Sequence, residues 1–190
     1  MRSSAGAALL AGAVLLAGGA ALAQPAGPEV CSACHGPNGN SIVPAIPSIA
    51  GQPRVFLENQ LVLIREGLRD VPSMKAMMGP ISDEQIVALA KHFTAQAVAP
   101  PPTPRQDDKF KAGAQVSGRA LCGTCHLPNY VGQNQVPRVA GQSEAYLLPT
   151  MKMYRDQPDP GRDTAMSAAL YGLTDADLDA LAHYLAQQGR

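Results

Sequence analysis

Apolar residues in the first half of the chain recur at the three- and four-residue spacing of amphipathic helices, without the alternation typical of strands. Pro53 suits the first position of a helix. The apolar face predicted for that helix consists of Leu57, Leu61, Ile64 and Leu68. Ser82 and Gln85 have the spacing of a capping box, which predicts the start of a second helix. The apolar face of the second helix consists of Ile86, Leu89, Ala90 and Phe93.

The second half shows a matching pattern. Ser143 is predicted to start one helix, which Pro149 should kink, and Thr174 is predicted to cap the last one. The apolar face of this last helix consists of Leu178, Leu181 and Leu185. Stretches rich in Gly, Pro and Asn, such as residues 36–47, are predicted to be loops. The pattern as a whole predicts an all-α fold.

An internal repeat explains why the two halves match. Three segments recur in the same order: CSACH (31–35) as CGTCH (122–126), IPSIAGQ (46–52) as VPRVAGQ (136–142), and ISD (81–83) as LTD (173–175). Between the halves, four of the five residues 100–104 are proline, which excludes a helix and favours a stiff, extended linker. We therefore predict a domain over residues 24–99, a linker over 100–106 and a second domain over 107–190.

The N-terminus has the pattern of an export signal. Arg2 precedes an apolar run from Ala5 to Leu22, and the run ends in the small-x-small sequence Ala21-Leu22-Ala23. We predict a signal peptide over residues 1–23, cleaved after Ala23, and a mature protein in the periplasm. The glycine content and the small-residue end of the run argue against the alternative, a membrane anchor. No other stretch approaches the length needed to cross a bilayer, so a membrane is expected to be reached only through partners.

Composition narrows the class of protein further. The chain has 15 Lys and Arg against 15 Asp and Glu, without a basic patch that would favour nucleic acid. It contains no Trp, 5 Tyr and 3 Phe. Because domains of about 80 residues have marginal cores, the scarcity of aromatic residues predicts that another large apolar group fills part of each core.

The cysteines indicate what that group is. All four lie in C-x-x-C-H motifs: Cys31, Cys34, Cys122 and Cys125. This motif attaches c-type heme through two thioethers, and the following histidine, His35 or His126, ligates the iron. A thioredoxin-type pair needs no histidine, a four-cysteine zinc site would need the two pairs close together, and a disulfide framework would not place a histidine after each pair. The motifs therefore predict two covalently bound heme c groups.

A c-type iron needs a second axial ligand, and methionine is the usual choice. Met74 and Met166 hold equivalent positions, each seven residues before the repeated Ile81 and Leu173. We therefore predict that they ligate the two irons. The other methionines after residue 1 do not match in this way and are predicted to pack in the core: Met77, Met78, Met151 and Met153.

Ligation by two histidines is the alternative. His92 and His183 do not occupy equivalent positions in the last helices, so we interpret both as helix-face or surface residues. We predict that the Pro44 carbonyl accepts the Nδ1 hydrogen of His35, whereas the second half offers no matching proline. Two equivalent arginines are predicted either to contact heme propionates or to be ordinary solvated residues: Arg65 and Arg155.

The doubled C-x-x-C-H, the P-x-[IV]-A-G-Q segment and the methionine before a capped final helix resemble class I cytochromes c. The doubling resembles the two-heme cytochrome c4 type, and the resemblance covers nearly all of the chain after residue 23. It implies two tandem cytochrome c domains, each a small helical fold wrapped around one heme. Members of the family usually have a helix before the first motif. Residues 107–121 leave room for one in the second half, whereas residues 24–30 do not in the first.

The resemblance implies an electron carrier rather than an enzyme. Its expected partners are redox proteins of a respiratory chain, such as a quinol-oxidising complex, a dehydrogenase or a terminal oxidase. Two His/Met-ligated irons leave no open position for substrate, which argues against a two-heme peroxidase. One alternative stays open: a cytochrome subunit of a periplasmic dehydrogenase complex, as in flavin-containing sulfide dehydrogenase. The short segment before the first motif favours this alternative, and co-purification would decide.

Overall fold

The computed structural model describes residues 27–99, 103–157 and 161–189. The predicted signal peptide, residues 1–23, and residues 100–102 of the predicted linker lie outside these ranges. The helices of the first half are α1 Pro28–His35, α2 Arg54–Arg65, α3 Pro72–Met78 and α4 Asp83–Thr94, with a short 3-10 helix at Pro37–Gly39. Those of the second half are α5 Asp107–Arg119, α6 Cys122–His126, α7 Glu144–Asp156, α8 Thr164–Leu170 and α9 Asp175–Ala186. The described ranges hold no strand, only an isolated bridge between Gln133 and Val136, so the all-α prediction is confirmed.

Each half has its own apolar core. The buried core of the first half consists of Leu57, Ile64, Met78, Ile81, Ile86, Leu89, Ala90 and Phe93. That of the second half consists of Val116, Tyr130, Ala140, Leu147, Met151, Leu170, Leu178, Leu181, Ala182 and Leu185. The faces predicted for α4 and α9 are therefore confirmed. The prediction for Leu68 is wrong, because this residue lies beyond the end of α2 and is exposed.

The helix ends follow local sequence closely. Ser82 and Gln85 form the predicted capping box, and Thr174 caps α9 in a box with Asp177. Pro53 is the N-cap of α2 rather than its first residue, and α7 continues through Pro149. The short helices α3 and α8 were not predicted from the pattern, since seven residues are too few to show a helical period.

The helix predicted before the second C-x-x-C-H motif is present as α5, which packs along α9. The closest approach is at Gly113, where an added Cβ atom would lie 2.1 Å from the Ala180 carbonyl oxygen. Ion pairs join the two helices at their edges, from Lys109 to Asp179 at 2.9 Å and from Arg119 to Asp177. None of the helices in the described ranges is both long and apolar enough to cross a membrane.

The two halves touch through their repeated A-G-Q segments. The Gln52 side chain hydrogen-bonds to the backbone of Arg138, and the Gln142 side chain to the backbone of Ser48. Beside them the Ser143 hydroxyl donates to the Pro44 carbonyl at 2.6 Å. The same few residues of the repeat therefore form the contact from both sides.

Candidate functional site

Each C-x-x-C-H motif lies on one turn of helix. In α1 the side chains of Cys31, Cys34 and His35 are separated by three and four positions, so they share one helical face. The short helix α6 presents Cys122–His126 in the same way. The first cysteine of each motif packs against the core of its own half, while the second is exposed. This arrangement suits a planar group that lies across the helix face with one edge toward solvent.

The histidine of each motif is buried and oriented by a backbone carbonyl. His35 and His126 are 8% and 7% exposed. Their Nδ1 atoms donate at 2.8 Å to the carbonyl oxygens of Pro47 and Pro137. Because Nδ1 carries the hydrogen, Nε2 is the nitrogen with a lone pair to offer a metal.

These contacts correct the prediction for the second shell. Pro44 does not orient His35; its carbonyl accepts from the Ser143 hydroxyl of the other half instead. Pro47 and Pro137 are equivalent prolines of the repeated segment, so both halves use the same acceptor. The repeat therefore contained the signal for this contact, although the sequence gives no distance between loop and histidine.

Burial shifts the pKa of one motif histidine and of the first cysteine in each motif. It lowers the pKa of the His126 imidazole more than the Pro137 carbonyl raises it, which favours the neutral form that ligates metal. Burial also raises the pKa of the Cys31 and Cys122 thiols. A reactive redox pair needs a lowered thiol pKa, so this environment argues against thioredoxin-like chemistry.

The two predicted methionine ligands lie in matching places. Met74 on α3 is partly buried against the same core as Cys31, and Met166 on α8 is partly buried against the same core as Cys122. Asp163 caps α8 by accepting from the Met166 backbone N–H at 3.1 Å. In each half the structure thus brings the methionine and the first cysteine to one core, and ligation by the methionine sulfur stays a prediction.

The other methionines largely pack as predicted. Met78 and Met151 are buried in the two cores, and Met153 is half-buried. The prediction for Met77 is wrong, since its side chain is 38% exposed. It follows Ala76 on the outer face of α3, where the helix does not meet the core.

Arg65 and Arg155 act as equivalent clamps on the methionine-bearing segments. Arg65 donates to the Ile81 carbonyl at 3.0 Å and pairs with Asp83, while Arg155 donates to the Leu173 carbonyl at 2.8 Å and pairs with Asp175. Each clamp joins the residues before and after α3 or α8. The structure therefore gives both guanidinium groups internal partners rather than leaving them as ordinary solvated arginines.

The remaining histidines differ from each other, as the repeat predicted. His92 is half-buried and bonds to Gln96, two residues beyond the end of α4. His183 is fully buried, so the surface interpretation is wrong for it. Its Nδ1 donates to Glu144 at 2.8 Å, and its Nε2 accepts from the Gln106 backbone at 3.0 Å. Both ring nitrogens are occupied, which makes His183 a structural tie between α9, α7 and the end of the linker.

The donor set fits a covalently bound heme in each half. Paired thiols on one helical turn, a buried imidazole with Nδ1 engaged and a thioether against the same core are the groups that a c-type heme requires. No cluster of three or more His, Cys, Asp and Glu in the described part of the chain could hold a bare metal ion. The four-cysteine zinc alternative therefore receives no support.

Comparisons with known proteins agree with this geometry. The family model described as cytochrome c matches residues 110–189, and the model described as cytochrome c oxidase, cbb3-type, subunit III matches residues 16–93. Each half of the chain is therefore similar to a cytochrome c domain, which confirms the tandem arrangement.

Three relatives match over most of their length. Cytochrome c4 of Stutzerimonas stutzeri is 32% identical over 174 residues, which are 82% of this chain and 83% of the relative. The thiosulfate dehydrogenase electron acceptor of Thiomonas intermedia is 31% identical over 169 residues, 83% of this chain and 78% of that protein. The crystal structure of reduced recombinant cytochrome c4 from Pseudomonas stutzeri matches with a TM-score of 0.77 at 30% identity, and covers 84% of this chain and 93% of that one.

Proposed function

This chain belongs to the cytochrome c4 family of diheme electron-transfer cytochromes, and on that premise we propose that it carries electrons between redox partners of a periplasmic respiratory chain. It holds two heme c groups and is an electron carrier rather than an enzyme. In the proposal, His35 and Met74 ligate the first iron, and His126 and Met166 ligate the second. Cys31, Cys34, Cys122 and Cys125 form the thioethers.

One observation carries the ligand assignment. In equivalent places of the repeat, the first motif cysteine and one methionine pack against the core of each half, and the motif histidine is buried. That both copies of the repeat keep the arrangement supports a shared role better than one occurrence would. A methionine that only filled space would not need to recur at the same position.

The side chains have limited tasks in this function. When bound, each heme would be held by the two cysteines, the histidine and the methionine proposed for its half, and would supply one-electron chemistry between Fe(II) and Fe(III). The carbonyls of Pro47 and Pro137 hold the proximal imidazoles in one tautomer and orientation. Arg65 and Arg155 hold the segments that carry the methionines, and the apolar cores exclude water.

The predicted export signal supports the proposed periplasmic location. Covalent c-type heme and an N-terminal signal of the predicted form belong together in a protein that matures outside the cytoplasm. The exported protein should begin at Gln24, and N-terminal sequencing of the purified cytochrome tests this. A first residue at Met1 would contradict cleavage after Ala23.

A second candidate is a fixed electron-accepting subunit of a dehydrogenase. A relative named as a thiosulfate dehydrogenase electron acceptor favours it, as does the exposed outer face of α4 in the first half. Purification at low salt followed by size-exclusion chromatography separates the two candidates. A free carrier elutes alone, whereas a subunit elutes with a stoichiometric partner.

The ligand assignment is tested by replacing each methionine with histidine. Met166→His should keep its heme and lower the reduction potential of the second centre, because imidazole stabilises ferric iron more than a thioether does. Met74→His should do the same to the first centre. Met77→His is the matched control, since this exposed neighbour is not proposed as a ligand. If both potentials stay unchanged in the Met74 and Met166 variants, the assignment is wrong.

Heme attachment is tested separately by mass. Cys125→Ser should weaken or abolish stable attachment in the second half only. Mass spectrometry that finds two covalent hemes in this variant would contradict the thioether assignment.

A further inference from the structure

In each half, one peptide group is hydrogen-bonded through both its carbonyl oxygen and its N–H. The carbonyl of the Pro47–Ser48 peptide accepts from His35 Nδ1 at 2.8 Å, and its N–H donates at 2.9 Å to Oε1 of Gln142. A single peptide therefore links the proximal histidine of the first half to a side chain of the second half.

The equivalent peptide of the second half is bonded in the same way. The Pro137–Arg138 carbonyl accepts from His126 Nδ1 at 2.8 Å, and its N–H donates at 2.9 Å to Oε1 of Gln52. The link thus runs in both directions, and each histidine is reached from the opposite half.

The orientation of both glutamine side chains is fixed by their partners. Nε2 of Gln142 donates to the Ser48 carbonyl at 2.8 Å, and Nε2 of Gln52 donates to the Arg138 carbonyl at 2.9 Å. Both side chains are only 5% exposed, so an unpaired amide there would be costly. Because each amide nitrogen faces a carbonyl, each amide oxygen must face the peptide N–H.

Hydrogen bonds in a chain polarise one another, most strongly where water is excluded. A peptide whose N–H is engaged has a more negative carbonyl oxygen and is a better acceptor. A better acceptor at Nδ1 makes the imidazole more electron-rich at Nε2 and stabilises the oxidised metal. The glutamine oxygen therefore acts on the histidine through one intervening peptide.

We propose that Gln142 is a positioning residue for His35 and Gln52 a positioning residue for His126, so that each half tunes the reduction potential of the heme in the other. The proposal rests on the proposed function, specifically on iron ligation by His35 and His126. It adds a crossed dependence: a change in one half is felt at the iron of the other half.

The test is the potential of each heme in Gln142→Met and Gln52→Met. Methionine keeps the length of the side chain but supplies no amide oxygen or nitrogen. Gln142→Met should raise the potential of the first-half heme and leave the second unchanged, and Gln52→Met should do the reverse. Heme methyl resonances in NMR, assigned to each half by contacts with its own side chains, follow the two centres separately through a redox titration.

A purely structural role predicts a different result. If the glutamines only held the two halves together, loosening that contact would shift the potential of the heme in the mutated half, or of both hemes equally. Either result overturns the proposal, as does no shift in either potential. Ser143→Ala is the matched control, because it removes a cross-half hydrogen bond to Pro44 without touching either histidine-bound peptide. Both potentials should be unchanged in this control.

A second variant covers the case in which methionine prevents assembly. Gln142→Glu keeps an acceptor for the Ser48 N–H and adds negative charge, so it should lower the first-half potential more than the second. Equal lowering of both would overturn the proposal. Failure of the underlying histidine ligation looks different, since the NMR spectrum of the unmodified oxidised protein would then lack the strongly shifted ring signals of an iron-bound histidine in each half.

Discussion

The last helices of the two halves, α4 and α9, have the same cap and the same apolar pattern, but their outer faces differ. In the second half α5 covers this face, and Ala180 and His183 are buried. At the equivalent positions of α4, Ala88 and Lys91 are exposed, and no helix within residues 27–99 lies where α5 lies. In the described residues the two helices therefore share a buried inner face, and only α9 has its outer face covered.

The difference extends beneath α5. Gly39 and Tyr130 are equivalent, because the carbonyl of each accepts from the N–H groups of the A-G-Q alanine and of the residue before it, and both have positive φ. Tyr130 reaches toward α5, where its hydroxyl lies 2.9 Å from Ser117 Oγ and 3.3 Å from the Tyr184 hydroxyl. In the first half an added Cβ at Gly39 would lie 2.8 Å from Phe93.

The side chains at these equivalent positions differ in size between the two halves. Phe93 of α4 is equivalent to Leu185 of α9. The first half therefore combines a small Gly39 with Phe93, whereas the second combines a large Tyr130 with the smaller Leu185. The second half therefore has more side-chain volume at this pair of positions, and the added tyrosine packs toward the covering helix α5. We expect the second half to depend on α5 and Tyr130 for stability, and the first half to have no such dependence.

The strongest way to break this contrast is Tyr130→Ala. Loss of a buried ring, together with its hydrogen bond to the Ser117 hydroxyl, should destabilise the second half by about 3–5 kcal/mol. The first half should unfold as before. Urea unfolding followed by NMR amide signals of each half measures both effects. Tyr171→Ala is the control, since this ring is 85% exposed and its loss should change stability by less than about 0.5 kcal/mol.

Gly113→Val is expected to destabilise the second half, although by less than Tyr130→Ala does. A side chain at this position meets the Ala180 carbonyl and must push α5 away from α9, which should cost the second half about 1–3 kcal/mol. The matched control is Gly118→Ala on the same helix, where an added Cβ meets nothing within 4 Å. That change should stabilise α5 by up to about 1 kcal/mol. Equal effects of the two substitutions would contradict close packing at Gly113.

The smallest expected effect concerns the N-terminal caps of α4 and α9. The stability that these two caps provide should depend differently on pH. The pKa of Asp177 is lowered by its hydrogen bonds from the Thr174 backbone and hydroxyl, and by Arg119, whereas its equivalent, Gln85, does not titrate. A carboxylate with a lowered folded-state pKa contributes stability above its unfolded pKa of about 3.9, and loses it as pH falls through the folded value.

Asp177→Asn should therefore flatten the acid part of the second half's stability curve and reduce its stability at neutral pH. Glu84→Gln is the matched control in the first half, because the Ser82 hydroxyl lowers the pKa of that carboxyl. Each change should affect only its own half. Urea midpoints between pH 3 and 7 decide the question, and an unchanged curve for Asp177→Asn would exclude this role.

Local pattern predicted much of the fold because capping boxes and helical faces depend on residues only three or four positions apart. Ser82 with Gln85 and the apolar face of α9 are examples. The covalent heme motifs were equally readable, since Cys31, Cys34 and His35 are bound to one helical turn. In these cases sequence spacing and spatial spacing are nearly the same quantity.

What could not be predicted depends on contacts between distant segments. His35 donates to the carbonyl of Pro47 rather than to that of Pro44. This depends on how the loop between His35 and Pro47, which lie 12 residues apart, folds back onto the histidine. The contacts of Gln52 and Gln142 join residues 86 and 94 positions apart, and no periodicity reports such a pairing. The repeat of A-G-Q marked these residues as important, but a shared backbone role within each half would have produced the same pattern.

The reciprocal contacts of Gln52 and Gln142 with the opposite half bear on how a two-domain chain of this kind could arise. A contact in which both sides use the same residue is isologous, and two identical copies of one small domain can make it without any new motif. A single-domain ancestor able to pair with itself would thus already have possessed this interface before gene duplication. Fusion through the proline-rich segment would then fix the ratio of the two copies at one to one and let them diverge, so that in the described residues only the second carries a separate helix before its motif.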